Sequence, residues 1–141
     1  MEIYAKVYYS NYNPDTGISI VKINTPYGMI KGTAKLHPDD KEVSSKYAGC
    51  KYAEMRAWIK YFKMVRRFKN DTLKELEHIK NSCKDHNAKW ILDKRMKEIA
   101  EEIKTLSARI QYTEEDLKKS IETRDKTLSR ILKQSKQTLN K

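Results

Sequence analysis

The sequence predicts an α+β fold: a small N-terminal antiparallel β-sheet packed on long C-terminal helices that self-associate. Three observations lead there. Alternating β-branched and aromatic residues stop near Leu36. Beyond Pro38 the apolar residues recur at helical spacing. With 38% hydrophobic and 35% charged residues in a 141-residue chain, long exposed helices around a thin core are expected.

The elements follow in order. Glu2–Tyr9 alternates as a strand does, and Asn11-Tyr-Asn-Pro-Asp-Thr-Gly17 reads as a turn cluster. Ile18, Ile20 and Val21 to Ile23 form a second strand. Thr25-Pro-Tyr-Gly28 makes a tight turn, and Met29–Leu36 a third strand. Connections this short favour an antiparallel meander whose apolar face must be covered. Pro38-Asp39-Asp40 stops the sheet and offers a helix N-cap with acids in the first turn. Tyr47 to about Ser82 then reads as one helix, and Asp85-His86-Asn87 as punctuation. A second helix is expected from Ala88 to about Gln111, with Thr113-Glu-Glu-Asp116 as a capping box before a last helix or a continuation to Ser135. The expected organisation is a single domain over 1–141: a meander at 1–37, a sheet-covering helix at 39–84 and a coiled-coil oligomerisation region at 86–138.

Leu92, Met96, Ile99, Ile103, Leu106 and Ile110 are spaced 4-3-4-3-4, the narrow seam of a coiled coil. A helix from Ala88 to Ser135 either folds back as a hairpin or packs on another copy, and both are expected to some degree. One short chain cannot bury the whole seam, so a homodimer or higher homo-oligomer is expected, through helices after Ala88. The earlier helix differs. Met55, Trp58, Ile59, Tyr61, Phe62, Val65 and Phe68 fill about half its circumference at 100° per residue. That arc is wide enough to meet a sheet on one side and a helix on another. Trp58 is therefore expected in the core. Arg56, Lys60, Lys63 and Arg67 form a basic stripe at one edge, and Arg66 and Lys69 fall inside the apolar arc.

The net charge of +11 favours an anionic partner. Residues 1–45 carry five lysines against five acids, so the whole excess lies from Lys46 onward. There, 14 acids interrupt 25 bases, which breaks any continuous track for a nucleic-acid backbone. No apolar run approaches the roughly 18 residues of a membrane helix, so no membrane partner is expected. Cys50 and Cys83 form neither a disulfide framework nor a zinc pattern, and a reducing cytoplasm suits them. His78, Cys83 and His86 would spread over about 140° of a helix, so no metal site is expected. No P-loop, G-x-G-x-x-G, H-E-x-x-H or nucleophile–histidine pairing stands in the chain, and no enzyme or cofactor is expected. Aromatics beside a basic edge supply instead a stacking face for a nucleobase and guanidinium forks for phosphate.

The length, the order of parts and the passage from Gly28 to Tyr61 together resemble the first class of phage Thoeris anti-defence proteins. Gly32-x-Ala34-x-Leu36-His-Pro-x-Asp40, followed by Gly49-x-x-x-Ala53-x-x-Arg56-Ala57, also looks like a strand-to-helix module of small phage proteins. The resemblance implies a sponge in the host bacterial cytoplasm. Such a protein binds a nucleotide messenger, a cyclic ADP-ribose isomer or in some members a cyclic oligonucleotide, without cleaving it. It thereby blocks TIR-based Thoeris immunity. By position it carries over Gly28 as a turn glycine near the ligand, Arg56 as the arginine of the module and Arg109 as a basic residue on the later helix. Arg66 and Trp90 join these ligand-binding candidates on physical grounds alone. Two other readings stand beside it: a basic nucleic-acid-binding phage protein, and a coiled coil that blocks a partner through the 92–110 seam.

Overall fold

The computed structural model describes residues 5–35 and 46–139. Three strands, β1 (Lys6–Asn13), β2 (Ile18–Thr25) and β3 (Gly28–Lys35), form an antiparallel sheet in the order β1-β2-β3. Two helices follow, α1 (Lys46–Ser82) and α2 (His86–Leu139). The α+β architecture is the expected one. The Asp39-Asp40 cap lies outside the described residues.

The start of the expected strand, Glu2–Tyr4, lies outside the described residues, and the strand runs past Tyr9 to Asn13. Asn11, Tyr12 and Asn13 pair with Ile20, Ser19 and Ile18, so half of the expected turn belongs to the ladder. The register slips between Val7 and Tyr9, as a bulge does. Only 14–17 turn: the Asp15 amide donates to Asn13 Oδ1 at 2.9 Å, and Gly17, at φ 72°, donates to the Asn13 carbonyl at 2.8 Å. At the other hairpin Thr25 Oγ1 donates to the Gly28 carbonyl at 2.7 Å and accepts from the Tyr27 amide at 3.2 Å. Gly28 has φ 117°, a conformation that a Cβ disfavours.

Helix α1 lies across the sheet face formed by Ser19, Val21, Ile23, Gly32 and Ala34, all buried. The contact is close because the residues are small. A Cβ at Gly32 would run into the Ala53 carbonyl and the Ala57 backbone. The Gly32…Ala53-x-x-x-Ala57 spacing is therefore a packing device, with backbone against backbone. Arg56 and Lys60 reach past it and donate to the Thr33 and Lys31 carbonyls at 2.9 Å each. These carbonyls belong to β3, an edge strand, so the two cations cover an edge that would otherwise invite pairing.

Helix α2 folds back on α1 as an antiparallel hairpin. Asp85 caps it: its Oδ1 accepts the Asn87 amide at 3.0 Å, and its carbonyl takes the first helical bond, from Lys89. Cross-links step regularly down the pair: Lys80–Asp93, Lys69–Glu102, Arg66–Ser107 and Tyr52–Ser120. The seam expected between subunits is covered within the chain in part, with Leu92, Met96 and Ile103 half-buried. Ile99, Leu106 and Ile110 are buried, and Leu106 and Ile110 pack on Tyr61, Phe62 and Val65. Those three buried positions need no second subunit to cover them. Of the two courses open after Thr113 the helix takes the continuation: the Thr113 hydroxyl donates back to the Arg109 carbonyl at 2.8 Å, and the helix runs on. With 54 residues against 37, α2 is roughly 25 Å longer than α1 at 1.5 Å per residue.

Candidate functional site

Because α1 touches the sheet on one side and α2 on another, a groove opens beside it, between β1 and α2. Its widest section, about 800 Å³, is bounded by Ser10 of β1, by Cys50, Glu54, Met55 and Trp58 of α1, and by Tyr112 and Asp116 of α2. It narrows into a section of about 390 Å³ where Phe62 and Arg109 join the shared Met55, Trp58 and Tyr112. Its size and its aromatic lining are those of a small-molecule site.

The aromatic wall is built on helical spacing. Trp58 and Phe62, one turn apart, stack with centroids 5.8 Å apart and planes at 25°. Trp58 Nε1 donates to Glu54 Oε1 at 3.3 Å, which fixes the indole's orientation. Across the groove Tyr112 is 71% exposed, so its ring is free to stack on a ligand. The Arg109 guanidinium lies over the Phe62 ring at 5.0 Å, and among the described residues it forms no ion pair. A guanidinium held flat by a ring and left without a counter-charge is placed to receive an anion.

Trp58, expected in the core, is in fact half-buried and forms the groove wall. Tyr61 takes the core place, 2% exposed, and burial pushes its phenol above the ordinary value. The wide apolar arc has a third neighbour, the open groove, which spacing alone did not show.

The other candidates are spread over the molecule. Arg56 is two residues before Trp58 and so about 160° around the helix from it, on the β3 side. Its guanidinium serves the Thr33 carbonyl. Arg66 donates to Ser107 Oγ at 3.4 Å in the helix–helix contact, and Lys69 beside it meets Glu102 at 2.6 Å, so both cross to α2. Trp90 stands near the start of α2, 66% exposed, with Lys94 over its ring. Gly28 closes the β2–β3 turn, where neighbouring Tyr27 meets Phe68. Of the five candidates, only Arg109 lines the groove; Tyr112 and Asp116 were missed. The signal for Tyr112 was an aromatic at i+3 from Arg109, just outside the apolar seam.

Among the described residues no group of histidines, cysteines and carboxylates could hold a metal ion, and no helix is long and apolar enough to cross a membrane. Comparison with protein-family models, with curated proteins and with solved structures finds no match.

Proposed function

We propose that the protein binds a nucleotide-type messenger in the groove between β1 and α2 and sequesters it without cleavage. The observation that carries this reading is the placement of Arg109, uncompensated and stacked on Phe62, beside the exposed Tyr112 ring and the Trp58 wall. A flat base enters between Trp58 and Tyr112, and a phosphate takes the guanidinium fork. The resemblance to Thoeris anti-defence proteins narrows the ligand to a cyclic ADP-ribose isomer or a cyclic oligonucleotide. It also supplies the setting: a phage protein in the host cytoplasm that removes the messenger of a TIR enzyme, acting as a homodimer or larger assembly.

A sponge needs nanomolar affinity, about −12 kcal/mol. Base stacking contributes about 1–3 kcal/mol and each charge-assisted hydrogen bond about 1.5–3. Several such contacts in one preorganised groove are therefore required, and no reacting group is. Calorimetric titration with a cyclic ADP-ribose isomer tests the proposal. Tight binding by the parent, weakened at least tenfold in Tyr112→Ala at unchanged melting temperature, is the expected result. Equal binding by parent and variant would remove the ligand from this groove. Copurification with long nucleic acid, and no affinity for either messenger class, would favour the nucleic-acid reading.

A further inference from the structure

The groove does not end at Asp116. It continues along the two helices into a basin of about 470 Å³ lined by Lys51 and Tyr52 of α1 and by Asp116, Lys119, Ser120 and Arg124 of α2. Lys51 and Asp116 belong to both sections, so the two are continuous. The Arg124 Nη2 atom is buried there and has no hydrogen-bond partner. Buried polar atoms are nearly always bonded, and one that is not asks for a ligand, ion or water to complete it. The Tyr52 hydroxyl, which donates to the Ser120 carbonyl at 3.2 Å, is not within hydrogen-bonding geometry of that atom. Among the described residues Lys51, Lys119 and Arg124 form no ion pair. Three cations thus converge on one basin, one of them with a buried unmet donor. Among the described residues the acids nearby are Asp116, exposed at the border with the aromatic section, and Asp125, whose charge reaches the Tyr52 phenol.

We propose that the basin lined by Lys51, Lys119 and Arg124 is a second anion subsite, which takes a phosphate of the ligand whose ring lies between Trp58 and Tyr112. This deepens the reading of the groove as a nucleotide site and rests on it. The spacing sets what the ligand must be. Trp58 to Lys51 and Tyr112 to Lys119 are each seven residues, two turns or about 10 Å along antiparallel helices that run past each other. A single phosphate next to its own nucleoside is too near the ring to use both parts. The arrangement fits a ligand with two phosphates or a second nucleotide, one anionic group reaching Arg109 and another reaching Arg124. Asp116 stands between the ring slot and the basin, where a carboxylate accepts hydrogen bonds from sugar hydroxyls.

The test uses the full chain and two probes, inorganic pyrophosphate and a cyclic ADP-ribose isomer, each titrated calorimetrically into the parent, Arg124→Gln, Arg124→Lys and Tyr112→Ala. Melting temperature serves as the folding control; Arg124 is half-buried and its Nη2 makes no hydrogen bond, so Arg124→Gln is not expected to lower it. Pyrophosphate should bind the parent and Tyr112→Ala alike, and about 10- to 100-fold more weakly to Arg124→Gln. Arg124→Lys, which keeps the charge and loses the fork, should fall between. No pyrophosphate binding by the parent, or equal binding by Arg124→Gln, overturns the subsite. Should the cyclic messenger depend on Tyr112 and not on Arg124, the groove reading stands and the subsite falls. Should pyrophosphate depend on Arg124 while the messenger does not bind, the anion site stands and the nucleotide reading falls.

Discussion

Arg56 and Arg109 look alike in the sequence, two arginines on predicted helix edges, and the structure assigns them opposite fates on substitution. Arg109 is exposed on the groove, laid over Phe62 and without a counter-ion among the described residues. If the proposed site holds a nucleotide, replacing Arg109 by Ala removes a charge-assisted contact to phosphate worth about 1.5–3 kcal/mol, or about 10- to 150-fold in affinity. The fold should hardly notice, since the guanidinium makes no bond that α2 needs. Arg56 is on the far side of α1 and donates to the Thr33 carbonyl at the sheet edge. Arg56→Ala should leave messenger affinity unchanged and cost about 0.5–1.5 kcal/mol of stability, a fall of a few degrees in melting temperature. Parallel calorimetric titration and thermal melts of the two variants read both effects. Equal loss of affinity in the two would refute the reasoning, because no ligand confined to this groove reaches both sides of one helix.

Three further outcomes follow from the packing. Gly32→Ala places a methyl against the Ala53 carbonyl and the Ala57 backbone, so it should destabilise by about 1–3 kcal/mol or more, read by denaturant unfolding. Leu106→Ala, at a side chain 1% exposed, should cost about 2–5 kcal/mol, with a midpoint independent of protein concentration if the seam is covered within the chain. Glu102 accepts a hydrogen bond from Lys69, which holds its carboxyl below the ordinary value of 4.5 despite partial burial. Its folded value is lower than its unfolded one, so its contribution is complete above about 4.5 and lost as pH falls through the lowered value. Glu102→Gln should flatten that part of the stability–pH curve, and an unchanged acid limb would deny the pair any role.

The last two strands and the turn between them were legible because each depends on local chemistry. Period-two alternation marks β2, and Pro26 with Gly28 marks the hairpin. The end of β1 was misplaced because Asn11 to Asn13, turn-formers by composition, are held extended by pairing with β2, a long-range cause. The 4-3 seam of α2 announced that the helix needs a partner and could not say which. Periodicity records a face, and the three-residue connection Cys83-Lys84-Asp85 brings α1 to that face first. Trp58 and Tyr112 form a site only at one register of α1 against α2, fixed by contacts such as Lys69–Glu102 and Tyr52–Ser120. Arg56 drew attention as part of the Gly32–Ala57 module, and that module is a packing device.

Retention of the messenger in unchanged form tests the account most directly. The protein is saturated with a cyclic ADP-ribose isomer, freed of excess ligand by gel filtration, held for hours and then denatured by heat. The released small molecules are resolved by chromatography. The account predicts about one ligand per groove, recovered entirely as the cyclic isomer and lost from Arg109→Ala and Tyr112→Ala. Recovery of a linear product would make the protein a hydrolase, and a parent that retains no ligand would contradict sequestration.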